Sequence, residues 1–100
     1  MGKVRVELLS WLADTLDTPG GNQNVFEEAI DDCRTVKDLL VRYAGKYPEF
    51  QKSVFDARTL SLSPRVAIFR NGRQIELEAG LETTLSDGDS LVLVPVIAGG

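Results

Sequence analysis

At 100 residues, 43% hydrophobic and 26% charged, the chain has the size and composition of one globular domain rather than of a disordered polymer. A formal charge of -4 argues against a nucleic-acid binder, which needs a basic patch. Zero histidines exclude Ser-His-Asp and Cys-His triads and the His-containing metal sites, and a lone cysteine excludes an internal disulfide or a CxxC zinc site.

Lys3-Val4-Arg5-Val6-Glu7-Leu8 alternates polar and apolar with period two, which predicts a half-buried strand. The pattern continues less cleanly to Leu12. Asp14 to Asn24 then reads as a polar connection, broken by Pro19-Gly20-Gly21. From Asn24 to Ile30 the chain can return as a second strand, with Phe26, Glu28 and Ile30 on one face and Val25, Glu27 and Ala29 on the other. The two adjacent glutamates also suit a helix.

Thr35, with Asp38 three residues on, resembles a capping box with Asp in place of Glu or Gln. Val36, Leu39, Leu40, Tyr43 and Tyr47 then recur at helical spacing and form one apolar stripe. Gly45 weakens the C-terminal end of this helix and Pro48 should stop it. Glu49 to Pro64 is less regular, but Phe50, Val54, Phe55, Leu60 and Leu62 should pack it down. Arg65 to Arg70 reads as a strand, Asn71-Gly72 as a tight hairpin turn, and Arg73 to Leu77 as the return strand. A further turn, Ser86-Asp87-Gly88-Asp89, precedes the most apolar strand, Leu91 to Ile97, whose continuous run suits a central strand covered on both sides.

No apolar run of about 18 residues is present, so no membrane span is expected. The stretch Leu8 to Leu12 is too short for a secretory signal, and Val6 stands where a myristoylation signal needs Ser or Thr. A cytoplasmic location is expected. With no Gly-rich phosphate loop either, the inventory is poor for an enzyme, and something other than side-chain chemistry must carry the function. The sequence given finishes Pro95-Val96-Ile97-Ala98-Gly99-Gly100. At average glycine usage, two glycines at a fixed pair of positions arise by chance about 0.5% of the time. Such a pair lacks side chains, so it can lie extended in a narrow channel and deliver a carboxylate to a reactive centre. Alternatively it is a frayed end.

One helix laid across a mixed sheet, in the order strand, strand, helix, hairpin, central strand, is an α+β two-layer arrangement. The order resembles the ubiquitin-like β-grasp, in which the first and last strands lie parallel at the sheet centre. Leu62 to Gly72 (LSPRVAIFRNG), Leu81 to Asp89 (LETTLSDGD) and Val92 to Gly100 (VLVPVIAGG) resemble the ubiquitin-like sulfur carriers, the superfamily of the molybdopterin-synthase small subunit and the thiamine carrier. The long segments Asp14 to Asn24 and Glu49 to Pro64 depart from the shortest members and are similar to the longer cysteine-biosynthesis carriers.

The resemblance implies a β-grasp domain over 1–97, with a mixed sheet of four to five strands, and an exposed tail over 98–100. It implies a carrier whose own carboxylate is the working group, not an enzyme. A ubiquitin-activating-type enzyme adenylates Gly100, a persulfide displaces AMP, and a thiocarboxylate results; Gly99 keeps the tail slim. No cofactor would be bound by this chain, and ATP and magnesium would belong to the activating partner. The remaining partners implied are a sulfur donor or sulfurtransferase and an acceptor such as a molybdopterin synthase large subunit or a cysteine synthase. Neither nucleic acid nor membrane is among them. Molybdopterin is the favoured product, with cysteine or another sulfur metabolite as alternatives. A ubiquitin-like modifier joined to lysines through Gly100, or an interaction module with an inert tail, stand as alternatives in function.

Strand alternation sets Leu91, Leu93 and Pro95 against Val92, Val94 and Val96, and Val66 and Ile68 against Ala67 and Phe69. A single helix can cover only one of these sets. An exposed apolar patch including Phe69 is therefore expected to dock partners, and the partner-contact candidates are Phe69, Pro95, Val96, Ile97 and Ala98. The alternative is that Glu49 to Pro64 folds over this face, with Phe50, Phe55 and Leu60 as a lid. Cys33 is expected to be a small buried hydrophobe rather than a reactive thiol, Tyr43, Tyr47 and Phe50 core, and Lys3, Lys37, Lys46 and Lys52 solvated surface. Asp87-Gly88-Asp89 imitates the start of a calcium loop, but Val92 and Ala98 occupy its required Gly and Glu places.

Overall fold

Alternating burial along Lys3–Leu8 makes the first strand, β1: Val4, Val6 and Leu8 are buried, while Lys3 and Arg5 face solvent. The computed structural model describes residues 2–16, 25–31 and 33–96. After Leu8 the apolar period changes from two to three or four, at Leu9, Leu12 and Leu16, and the chain coils into a 3-10 helix over Ser10–Leu16. Leu12 and Leu16 are buried there, so the connection expected from Asp14 begins inside the core instead of on the surface.

Strand β2, Val25–Ala29, pairs antiparallel with β1, placing Glu28 opposite Val4 and Phe26 opposite Val6. The strand alternative for this segment is the correct one. Glu28 sits on the inner face because it has partners: the Tyr43 hydroxyl donates to it at 2.7 Å, and Arg42 lies 3.5 Å away. Burial, and then the hydrogen bond to Glu28, push the Tyr43 phenol well above its ordinary pKa.

Helix α1, Val36–Lys46, starts where the capping box predicts. The Asp38 amide donates to Thr35 Oγ1 at 3.3 Å, and Asp38 Oδ2 accepts from the amides of Arg34 and Thr35 at 3.0 and 3.2 Å. The bond from the Arg34 amide leads in holding the Asp38 carboxyl below its usual pKa. Val36, Leu39, Leu40, Tyr43 and Ala44 form the buried stripe. Pro48 does end this helix, but it also opens a second, α2 (Pro48–Ser53), at the first-turn position where its missing N–H costs nothing. Helix α1 is the one main helix expected, and the short α2 orders the start of a stretch whose sequence reads as irregular.

A short hairpin follows, β3 (Phe55–Asp56) with β4 (Ser61–Leu62), forming a separate two-stranded sheet. Strand β5, Val66–Arg70, then turns through Asn71 (φ 53°) and Gly72 (φ 84°) into β6. Strand β6 is only Arg73–Gln74, shorter than the expected return strand, because a 3-10 turn over Ile75–Leu77 swings Ile75 into the core. Strand β7, Ser90–Pro95, completes a five-stranded sheet in the order β2-β1-β7-β5-β6. β7 runs parallel to β1 and antiparallel to β5. Both helices, the hairpin and the inner sheet face enclose one core that includes Cys33, Phe50 and Phe55.

Candidate functional site

The site is a sheet face and the strand that leads to the tail, and the alternation of β7 builds both. Leu91 and Leu93 point inward and are 1% exposed, whereas Val92 and Val94 stand half-buried on the outer face. Opposite them on β5, Phe69 pairs with Val92 and Ala67 with Val94. Phe69 is half-buried, with Gln74 on its other side. Lys3, Arg5 and Glu7 of β1 continue this face toward β2, where Glu27 lies opposite Arg5. The result is an apolar strip on the central and neighbouring strand, bordered by charge.

The lid expected as an alternative does not form over this strip. Phe50 and Phe55 are at most 1% exposed and lie in the core, Phe50 edge-on to Tyr43 of α1 with ring centroids 5.4 Å apart. Leu60 stands 46% exposed at the hairpin turn, with φ 55°. The last strand is therefore central, as expected, but within the described chain it is covered on one side.

Of the candidate partner residues, Phe69 and Val96 belong to the open face, Val96 being 41% exposed. Pro95 falls on the other side of β7, opposite Val66, and is half-buried. Ile97 and Ala98, with Gly99 and Gly100, lie outside the described residues, as does the glycine pair at 20 and 21. The Val96 amide donates to the Arg65 carbonyl at 2.7 Å, so the sheet still holds the chain one residue beyond β7.

A polar cluster at the opposite end of β7 escaped the sequence argument. Asp89, 7% exposed, accepts from Arg70 Nε at 2.9 Å, Asn71 Nδ2 at 3.0 Å and the Ser86 amide at 2.8 Å. Burial alone would raise its carboxyl pKa, but the bonds from Asn71, Ser86 and Arg70 outweigh it and hold the group below the usual range. Asp87 Oδ1 accepts from the Lys3 amide at 2.9 Å, and Gly88, at φ 88°, donates its amide to the Lys3 carbonyl. The Asp-Gly-Asp motif thus clamps the start of β1, the Asn71-Gly72 turn and the entry to β7. Lys37 lies at the surface, as expected, and pairs there with Glu82 at 2.7 Å, which raises its pKa.

A mixed five-stranded sheet with a parallel central pair and a helix across one face defines the ubiquitin-like β-grasp. Within that class the chain belongs to the ThiS family, whose sequence profile matches residues 13–100. It is 31% identical over 71 residues to small archaeal modifier protein 3 of Haloferax volcanii, covering 71% of this chain and 75% of that protein. It is 49% identical over 39 residues to a protein of Archaeoglobus fulgidus named as a sulfur carrier, a stretch of 39% of this chain and less than half, 44%, of the relative. The solution structure of small archaeal modifier protein 1 from Methanosarcina acetivorans superimposes with a TM-score of 0.77 at 28% identity, covering 100% of this chain and 98% of that one. The family is one of sulfur carriers and ubiquitin-like modifiers. No helix among the described residues is long and apolar enough to cross a membrane.

Proposed function

We propose that this chain is a cytoplasmic sulfur carrier whose Gly100 carboxylate is the activated group. The observation that carries this is the ThiS-family match, which runs through Gly99 and Gly100. A carboxylate oxygen of Gly100 attacks the α-phosphorus of ATP on a ubiquitin-activating-type enzyme, and pyrophosphate leaves. A persulfide sulfur then attacks the acyl carbon and expels AMP. A thiol cleaves the resulting acyl disulfide, leaving the thiocarboxylate on Gly100 and a disulfide on the donor. ATP and magnesium are handled by the activating enzyme, and the sulfur passes to an acceptor enzyme, a molybdopterin synthase large subunit or a cysteine synthase. The strip of Phe69, Val92, Val94 and Val96 is where these partners dock, since it is the apolar sheet face that the described helices leave uncovered.

A second reading has the same activation step but a lysine amine as acceptor, making Gly100 the donor end of an isopeptide bond. The likeness to two small archaeal modifier proteins favours it. Intact-mass measurement of the chain from its native cell separates the two. Sulfur in place of oxygen at Gly100 adds about 16 Da and marks the carrier. A Gly100 isopeptide on lysines marks the modifier, and a chain always recovered unmodified refutes both.

A further inference from the structure

Charge is unevenly spread over the fold. Between residues 46 and 65, four cations (Lys46, Lys52, Arg58 and Arg65) meet only two carboxylates, Glu49 and Asp56. This segment carries +2 in a chain whose total is -4, so the remainder carries -6. The fold gathers the segment at one pole. Lys52 of α2 and Arg58 of the hairpin line one surface groove of about 550 Å³, together with Ser63 and Pro64. Arg65, the next residue, holds the Val96 amide with its carbonyl, so the groove adjoins the point where β7 ends.

The same pole receives the end of β1, where the Leu9 amide bonds the Leu93 carbonyl, and the 3-10 helix after it, packed on α2 and β7. That 3-10 helix presents Trp11 at 39% exposure. Among the described residues Lys52 and Arg65 have no ion-pair partner, and Arg58 meets Asp56 at 3.5 Å with 85% of its side chain in solvent. Exposed arginines and an exposed tryptophan at one pole have the composition of a protein-binding surface.

We propose that this pole is an electrostatic docking site for an acidic surface on the enzyme that activates Gly100, and that the acidic remainder of the chain orients the approach. The inference rests on the carrier reading above and adds to it which side of the partner the chain meets and which residues choose it. The charge pattern draws the pole where β7 ends toward an acidic rim and disfavours approaches that lead with the acidic remainder, which speeds productive encounter. Two of these cations, Lys52 and Arg58, stand in the expanded stretch between α1 and β5, and Lys46 and Arg65 flank it.

The test is ATP–pyrophosphate exchange, with the activating enzyme purified from the source cells by its exchange activity on the wild-type chain. For the triple variant K52E/R58E/R65E the KM for the chain should rise about tenfold at low salt with kcat held, and K52Q/R58Q/R65Q should fall between. Added salt should raise the wild-type KM and leave that of the Gln variant nearly flat. All three side chains are exposed, so melting should stay near wild type, and the Gln variant carries the test if the reversed one folds poorly. Wild-type KM and salt dependence in the variants overturn the docking pole and leave the carrier reading intact. A wild-type chain that supports no exchange with any enzyme fraction overturns both.

Discussion

Replacing Asp89 by alanine removes the acceptor of three hydrogen bonds, from Arg70 Nε, Asn71 Nδ2 and the Ser86 amide, at a carboxylate only 9% exposed. Taken singly, hydrogen bonds to a charged group are worth about 1.5–3 kcal/mol each. They do not add here, because the Arg70 side chain is 25% exposed and the Asn71 amide is near solvent, so water takes up part of what Asp89 releases. We expect a loss of about 2–3 kcal/mol at neutral pH, or about 10–15 °C in Tm for a domain of this size. Asp89→Asn keeps one acceptor oxygen but turns an amide NH2 toward a donor, and should lose about half as much. Urea unfolding followed by fluorescence of Trp11, the one tryptophan, measures this directly. The carboxyl is held below its unfolded pKa, so its contribution is complete above about pH 4 and disappears as pH falls through the lower folded value. The gap between wild type and Asp89→Ala must therefore narrow in acid. A loss under about 1 kcal/mol at neutral pH, or a gap that widens on acidification, would refute the clamp.

Phe50→Ala should cost about 3–4 kcal/mol in urea unfolding, since the ring is fully buried against Tyr43; a cost near zero would mean that α2 is not part of the core. Thr35→Ala removes the acceptor of the Asp38 amide and should cost about 1 kcal/mol, with no loss at all counting against the capping box. Phe69→Ser should lower stability by less than about 1.5 kcal/mol, because the ring is only half-buried, yet raise the KM of pyrophosphate exchange; a large fall in Tm would place the ring in the core. Deleting Gly100, or adding one residue after it, should abolish exchange and leave melting unchanged, and an extended chain that exchanges normally without being trimmed would sink the Gly100 assignment.

Helix α1 could be placed from its residues alone because its signals are local: the Thr35–Asp38 box and the Val36–Tyr43 stripe lie within three turns of chain. The strand alternation of β1 and the Asn71-Gly72 turn were legible for the same reason. The segment from Glu49 to Pro64 was not. Its order rests on Gln51, which donates to Asp56 and accepts from the Ala57 amide, and on the Ser63 amide reaching back to Val54, single contacts that leave no periodic pattern in the sequence. The Ser10–Leu16 turn was missed although Leu12 and Leu16 carry helical spacing, because Leu8 and Leu9 blur the change of period. Asp89 was read as part of a turn, which it is, but its partners Arg70 and Asn71 lie 19 and 18 residues away.

The sequence by itself determined the order of the main elements (β1, β2, α1, β5 and β7), the alternation along β1, β5 and β7, and the motifs by which the family is recognised, all properties of neighbours along the chain. It did not determine which side of the last strand meets the core. Leu91 and Leu93 are as apolar as Val92 and Val94, so alternation divides them into two sets without ranking them. Only the packed fold does so. Phe50 and Phe55 join α1, Leu91 and Leu93 in one core, and with these rings inside it, no described residue of that segment covers the strip of Phe69, Val92 and Val94. Whether a face lies open depends on where distant segments come to rest, and that is settled by competition for one limited core volume, which no stretch of sequence encodes alone.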